Sequence, residues 1–236
     1  MNYEQARFNM IEQQIRPWEV LDSQVLALLA VIKREDFVPT AYRSLAFADM
    51  EIPLSSHARQ QDGQGQPGQC MLSPKVEARI LQDLAVQKHE KVLEIGTGSG
   101  YMAALLGHRA QHVISLEIDT DIAQTARGNL QRAGIYNAEV RTGDGASNFT
   151  QSISGSDSLK GPFDVIVLSG SVAEVPPSLL ALLKVGGRLS AITGHEPVMR
   201  ATLVTRTGEA AWRTTQAWDT VAPRLLHFPE PSKFSF

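Results

Sequence analysis

Glu94-Ile95-Gly96-Thr97-Gly98-Ser99-Gly100-Tyr101 runs from a short apolar strand, Val92-Leu93-Glu94-Ile95, into a helical pattern that begins at Gly100 and reaches Leu106. Three glycines between a strand and a helix let the backbone turn sharply and let a ligand approach the main chain where a Cβ would collide. The helix N-terminus that follows offers free N–H groups to a polar ligand. The G-x-G-x-G spacing departs from the dinucleotide fingerprint G-x-G-x-x-G, whose third glycine would fall at Tyr101. The ligand reading therefore turns away from NAD.

Downstream, strand and helix patterns alternate. His112 to Glu117 reads as a strand, Asp119 to Ala133 as a helix and Ala138 to Arg141 as a third strand. After a polar loop from Gly145 to Pro162 come a strand at Phe163 to Leu168, a proline-initiated helix at Pro177 to Leu183 and a strand at Arg188 to Ile192. Such βα units force parallel strands joined by crossover helices, hence a doubly wound sheet covered on both faces. Val198 to Thr205 and Ala211 to Ala217 read as a closing antiparallel pair. Trp212 and Trp218 stand six apart in it, which predicts one shared face packed on a core.

Polar groups end three successive strands: Glu94 with the glycine turn, Glu117 with Ile118 beside it, and Asp144 in Gly143-Asp144-Gly145. Open α/β sheets bind ligands along this crevice, where an acid ending the second strand accepts hydrogen bonds from ribose hydroxyls. Each group has a plainer reading: Glu117 as a helix N-terminal charge, and Gly143-Asp144-Gly145 as a turn. Ser169 ends the fourth strand, placed for a substrate or cofactor contact or simply as a polar strand terminus.

Before the sheet, Phe8, Ile11 and Ile15 mark one helical stripe and Val25, Leu28, Leu29 and Ile32 another, broken at Pro17 and Pro39. Residues 55–69 hold no large apolar side chain and read as a mobile loop. The expected organisation is a helical cap over residues 1–88 and a core over 89–236, forming one structural unit. The chain has 236 residues with 22 Lys and Arg against 25 Asp and Glu, so no charge excess marks a nucleic-acid or anionic-membrane partner. One cysteine, no secretory pattern and no apolar run near 20 residues predict a cytoplasmic protein. His108 and His112 are four apart, but the expected helix ends between them, so no metal site is expected.

The chain resembles the protein-L-isoaspartate O-methyltransferase family, class I S-adenosylmethionine-dependent methyltransferases. The match runs in order through Arg34-Glu35-Asp36-Phe37-Val38-Pro39, Ala46-Phe47-Ala48-Asp49, Ile52-Pro53-Leu54, Gly68-Gln69, Pro74, the 92–101 turn, Gly143-Asp144-Gly145 and Pro162-Phe163-Asp164, over about residues 5 to 195. The resemblance implies a Rossmann-like methyltransferase sheet that binds S-adenosyl-L-methionine. Glu94, Gly96, Gly98 and Gly100 would surround the methionine portion, Glu117 the ribose, and Asp144 with Gly145 the adenine; Thr97, Ile118 and Ser169, beside them at the strand ends, are further candidate cofactor-binding residues. It also implies a protein, peptide or small-molecule acceptor, with neither nucleic acid nor membrane as partner; nothing in the sequence sets the oligomeric state.

The acceptor segment departs from the family pattern. Aligned through Gln69 and Pro74, the family's substrate-binding Ser falls on Leu72, and a preceding hydroxyl residue on Cys70. Ser73 takes the catalytic-site role only if the backbone slips by one; otherwise it is the helix N-cap before Pro74. Cys70 reads as a reactive thiol or as a small buried hydrophobe. Leu168-Ser169-Gly170-Ser171 replaces the family's Thr-Ala-Ala, and residues 55–67 are an insertion beside the expected substrate entrance. A Leu facing a carboxylate would leave its charge poorly solvated, which predicts an altered acceptor. The alternative is a catalytically silent S-adenosylmethionine-binding sensor or partner protein, with a nicotinamide oxidoreductase as a distant third.

Overall fold

The computed structural model describes residues 2–54, 69–147, 159 and 161–230. Most of the loop expected over 55–69, and much of that over 145–162, lies outside them. The chain opens with α1 (Tyr3–Met10), which runs on through a π turn at Ile11–Ile15 and a 3-10 turn at Arg16–Trp18, followed by α2 (Ser23–Val31). A two-stranded ribbon, β1 (Ile52–Pro53) with β2 (Cys70–Met71), leads into α3 (Pro74–Leu84). Then come β3 (Lys91–Ile95), α4 (Tyr101–Arg109), β4 (His112–Glu117), α5 (Thr120–Arg132), β5 (Ala138–Thr142), β6 (Phe163–Val172), α6 (Pro177–Leu180), β7 (Leu183–His195), β8 (Val198–Gly208) and β9 (Ala211–Thr220).

The seven-stranded sheet has the order β5-β4-β3-β6-β7-β8-β9, parallel from β5 to β7 and antiparallel through β8 and β9. This is the expected α/β architecture. After β5 the chain returns to the far side of β3, so β3 and β6 are neighbours whose connections leave in opposite directions. A crevice opens there beyond their carboxyl ends. One apolar cluster joins Met10, Ile15 and Leu29 of the N-terminal helices to Leu81, Leu105 and the sheet's Val92, Val113 and Val167. A second, built on Leu93, Ile95, Ile166, Leu168 and Leu189, fills the opposite face.

Three local expectations are corrected. The stripe of the first helix is not Phe8-Ile11-Ile15: Phe8 is 59% exposed, whereas Arg7, Met10, Ile11 and Ile15 are buried. Arg7 occupies an inward position because its guanidinium pairs with Glu35, also buried. The helix read over 177–183 is a single turn, since residues from Leu183 onward already pair with β6, across a register shift between Phe163 and Val165. Gly187 permits that approach; a Cβ there would lie 2.9 Å from Asp164 O.

The tryptophans do not share a face. A bulge opposite Ala201 and Thr202 inserts one residue between Gln216 and Trp218, reversing the strand's alternation. Trp212 is 41% exposed, whereas Trp218 packs against the first cluster and donates its Nε1–H to Asp83 at 2.7 Å. In urea denaturation Trp212→Ser is therefore expected to stay within about 0.5 kcal/mol of the parent. Trp218→Ser is expected to lose about 2 kcal/mol or more, from packing and a hydrogen bond.

Candidate active site

The glycine turn takes positive φ at Gly96 (+90°), Gly98 (+53°) and Gly100 (+85°). The three serve different ends. Gly96 and Gly98 are partly exposed in the crevice. Gly100 is buried against α5, where a Cβ would meet Ala126 O at 3.3 Å, so it lets helices approach rather than a ligand.

Glu94 is fully buried one strand residue before the turn. Its Oε2 accepts from Ser115 Oγ at 2.6 Å and its Oε1 from Ser169 Oγ at 2.7 Å, while Thr97 Oγ1 and Ser115 Oγ lie 2.5 Å apart. The carboxyl thus ties three strand ends together and meets the crevice through the half-buried Ser169. Burial pushes its pKa up to about 8, against the lowering effect of the two serine hydroxyls. Between pH of about 4.3, where an unfolded Glu titrates, and about 8, the folded chain keeps a proton that the unfolded chain has released. Stability contributed by this group falls as pH rises through that window and levels above it. Urea titrations at pH 5 and pH 8 are expected to show a smaller loss in Glu94→Gln than in the parent.

At the end of β4, Glu117 is buried and accepts from Gly98 N at 2.8 Å and Asp119 N at 3.1 Å, which binds the second strand end to the turn. Burial raises its pKa, opposed by these N–H donors. Ile118 follows it, half-buried. Asp119 caps α5 and accepts from Gln69 Nε2 at 3.3 Å, bringing the acceptor segment to the same edge. Gly143 N donates to Glu117 O at 2.8 Å, which sets Asp144 beside it. Gly145 has no room for a side chain, because a Cβ would sit 2.3 Å from Ile95 Cγ2. Asp144 Oδ1 accepts from Ala146 N at 2.9 Å, and its Oδ2 lies 2.7 Å from His227 Nδ1.

The acceptor segment corrects the expectation for Leu72. Its side chain is buried in the first apolar cluster, and its carbonyl accepts from Arg34 Nη2 at 2.7 Å. Arg34 is itself wholly buried, paired with Glu77 and donating its Nε–H to Ala46 O at 3.1 Å. With Leu72 drawn into the cluster, Ser73 turns to the other side, itself only 8% exposed. It holds the N-cap position of α3, yet its side chain makes no capping hydrogen bond. It lines a cleft of about 490 Å³ together with Trp18, Lys75, Arg79, Met199 and Trp218. Lys75 Nζ lies 3.9 Å from the Trp18 ring centroid and Arg79 Cζ 5.3 Å from that of Trp218. Cys70 is not a reactive thiolate: burial and the Glu51 carboxylate, 3.6 Å from its Sγ, push the thiol pKa well up. His108 and His112 fall on a helix and a strand, and no metal-binding cluster occurs among the described residues.

Sequence reasoning missed Arg34 with Glu77, the cation–aromatic pairs of the cleft, and His227. Arg34 carried only the signal of a resemblance motif, and His227 carried none, because its partner lies 83 residues away.

Comparison with known proteins adds the lineage. The family model for protein-L-isoaspartate(D-aspartate) O-methyltransferase matches residues 5–220, beyond the 5–195 legible by eye. A protein-L-isoaspartate O-methyltransferase of Methanoculleus marisnigri is 38% identical over 188 residues, 80% of this chain and 77% of that one. That of Rhodopseudomonas palustris is 33% identical over 229 residues, 94% and 96% of the two chains. A solved Plasmodium falciparum structure, described as a protein-L-isoaspartate O-methyltransferase in complex with S-adenosyl-L-homocysteine, superposes with a TM-score of 0.70 at 19% identity, covering 95% of this chain and 98% of that one. That likeness is one of fold. The long family match and the identity to these relatives agree with the strand-end site: the chain belongs to the protein-L-isoaspartate(D-aspartate) O-methyltransferase family.

Proposed function

We propose that this enzyme transfers the methyl group of S-adenosylmethionine to a carboxylate of a protein or peptide, of the isoaspartyl type, held beside Ser73. One juxtaposition carries the reading. A Cβ on Gly98 would meet Leu54 Cδ1 at 3.3 Å and Cys70 O at 4.0 Å, so the ribbon leading to Ser73 lies directly over the glycine turn.

The residues fit the donor. Gly96 and Gly98 offer partly exposed main chain, and each Glu117 oxygen accepts one backbone N–H, leaving lone pairs for ribose hydroxyls. Asp144 faces the adenine end and Ser169, oriented by Glu94, the methionine end. S-adenosylmethionine supplies a methyl group on a sulfonium; the acceptor oxygen takes it as the methyl–sulfur bond breaks, leaving a methyl ester and S-adenosylhomocysteine. A carboxylate with a reference pKa of about 4 is already ionised at neutral pH, so no base is required. The work of the chain is to place acceptor and donor in line, an effect worth about 7–11 kcal/mol. Ser73 gives the acceptor a hydroxyl donor, in a cleft that carries Lys75 and Arg79 beside the acids Asp49, Glu51 and Asp219, with Lys75 paired to Asp49 at 2.6 Å. No helix among the described residues is long and apolar enough to cross a membrane, and the single free, half-buried Cys70 supports a reducing, cytoplasmic setting.

The test is methyl-tritiated S-adenosylmethionine with an isoaspartyl peptide and its aspartyl counterpart. Base-labile label on the isoaspartyl peptide alone is expected; donor binding with label on neither peptide overturns the reading in favour of a silent binding protein. Ser73→Ala is expected to raise the acceptor KM about tenfold and to leave S-adenosylhomocysteine affinity unchanged. Its stability changes by under about 0.5 kcal/mol, whereas loss of a working cap would cost about 1 kcal/mol.

A further inference from the structure

We propose that residues 222–230 form a displaceable strap that shuts the donor crevice, with Leu225 as its plug and His227 on Asp144 as its latch. The proposal rests on the donor reading above and concerns how that site is opened. Three hydrogen bonds lay the strap along β6: Ser171 N to Pro223 O at 2.7 Å, Ser171 Oγ to Ala222 O at 2.8 Å, and Leu225 N to Ser171 O at 2.9 Å. They direct the Leu225 side chain into space left by two glycines. Its Cδ2 lies 2.9 Å from where a Cβ of Gly96 would stand, and 2.8 Å from that of Gly170. No ligand atom fits between Leu225 and that face of the turn, since carbon atoms need about 3.5–4 Å.

The latch acts at the other end of the crevice. Asp144 already spends Oδ1 on Ala146 N–H, and His227 Nδ1 holds Oδ2. An amino group arriving from an adenine shares the approach to Asp144 Oδ2 with the imidazole of His227 and competes with it there. His227 sits at φ +64°, a left-handed conformation uncommon for a residue with a side chain, so the latch is held against local strain. Beyond it, Phe228 is buried in the second apolar cluster, and Glu230 bonds Arg224 Nε at 2.7 Å and His195 Nε2 at 3.0 Å. The strap is thus pinned at both ends while its middle covers Gly96 and Asp144, the geometry of a closure rather than of a frayed tail.

The experiment uses S-adenosylhomocysteine, which binds without reacting. Calorimetry and stopped-flow binding are run on the full chain, on His227→Ala and on Leu225→Ala, with amide hydrogen exchange of the parent with and without ligand. Because one hydrogen bond no longer competes, His227→Ala is expected to bind about three- to tenfold more tightly. Leu225→Ala is expected to associate faster. In the parent, ligand is expected to deprotect the Leu225 amide, which now donates to Ser171 O. Equal or weaker binding by His227→Ala, an unchanged association rate in Leu225→Ala, or a Leu225 amide better protected with ligand each overturns the strap. If the parent fails to bind S-adenosylhomocysteine, the donor reading falls as well; if parent and variants bind alike, the strap alone falls.

Discussion

Arg34→Met is expected to destabilise the fold by about 3–5 kcal/mol, because it strands a buried charge. Arg34 is 0% exposed and Glu77 4%. The guanidinium pairs with Glu77, donates to the carbonyls of Leu72 and Ala46, and lies 5.2 Å from the Tyr101 ring centroid. Methionine keeps the apolar stem but leaves Glu77 without a counter-charge and two carbonyls without a donor. Arg34→Met combined with Glu77→Gln is expected to recover part of the loss, since the amide carries no charge to strand. The unrecovered part reports the two carbonyls. Urea unfolding of the parent, both single variants and the double variant gives the coupling directly. A single Arg34→Met within about 1 kcal/mol of the parent would show that Glu77 finds another partner or a proton at little cost. The same guanidinium holds Leu72 inward, so the folded remnant of this variant is also expected to show a raised KM for the acceptor.

Gly98→Val is expected to weaken S-adenosylhomocysteine binding at least a hundredfold. Two effects combine. A β-branched residue at φ +53° costs about 1–3 kcal/mol in strain, and its methyl groups project into the crevice beneath Leu54. Gly134→Val is a matched control: Gly134 also has positive φ (+72°), but a Cβ there meets nothing within 4 Å. Both variants should lose comparable stability in urea, while only Gly98→Val loses the ligand in calorimetry. Equal affinities in the two would mean that the ligand does not approach the main chain at Gly98.

Elements whose causes are local were legible. The strand at His112–Glu117 is found with the bounds its apolar alternation predicts, and α5 starts where Asp119 caps it, accepting from Asp121 N at 2.9 Å and Ile122 N at 3.0 Å. Gly134 follows the end of the same helix with φ +72°, the left-handed conformation glycine commonly supplies there. Elements whose causes are distant were not. The helix before β7 shortened because pairing to β6 claimed its last residues, and the tryptophan alternation failed on a bulge set by the neighbouring strand. Arg7 defeated apolar counting because its partner, Glu35, arrives from another segment.

The candidate site divides the same way. The glycine spacing and the strand-end acids Glu117 and Asp144 are positions along a chain whose βα alternation already dictates the crevice, so the placing of these residues along one crevice was legible in the sequence. That Leu72 packs into the apolar cluster while Ser73 lines the neighbouring cleft was not, because successive residues of extended chain point to opposite sides and a shift of one exchanges them. The choice fell to contacts from afar: pairing of Met71 with Ile52 in the ribbon, and the grip of Arg34 on the Leu72 carbonyl. Likewise the strap's hold on the crevice depends on His227 reaching Asp144. Short-range periodicity laid down the sheet and the donor turn; long-range hydrogen bonds and buried charge pairs, which leave no periodic trace, decided what faces the cleft and what covers it.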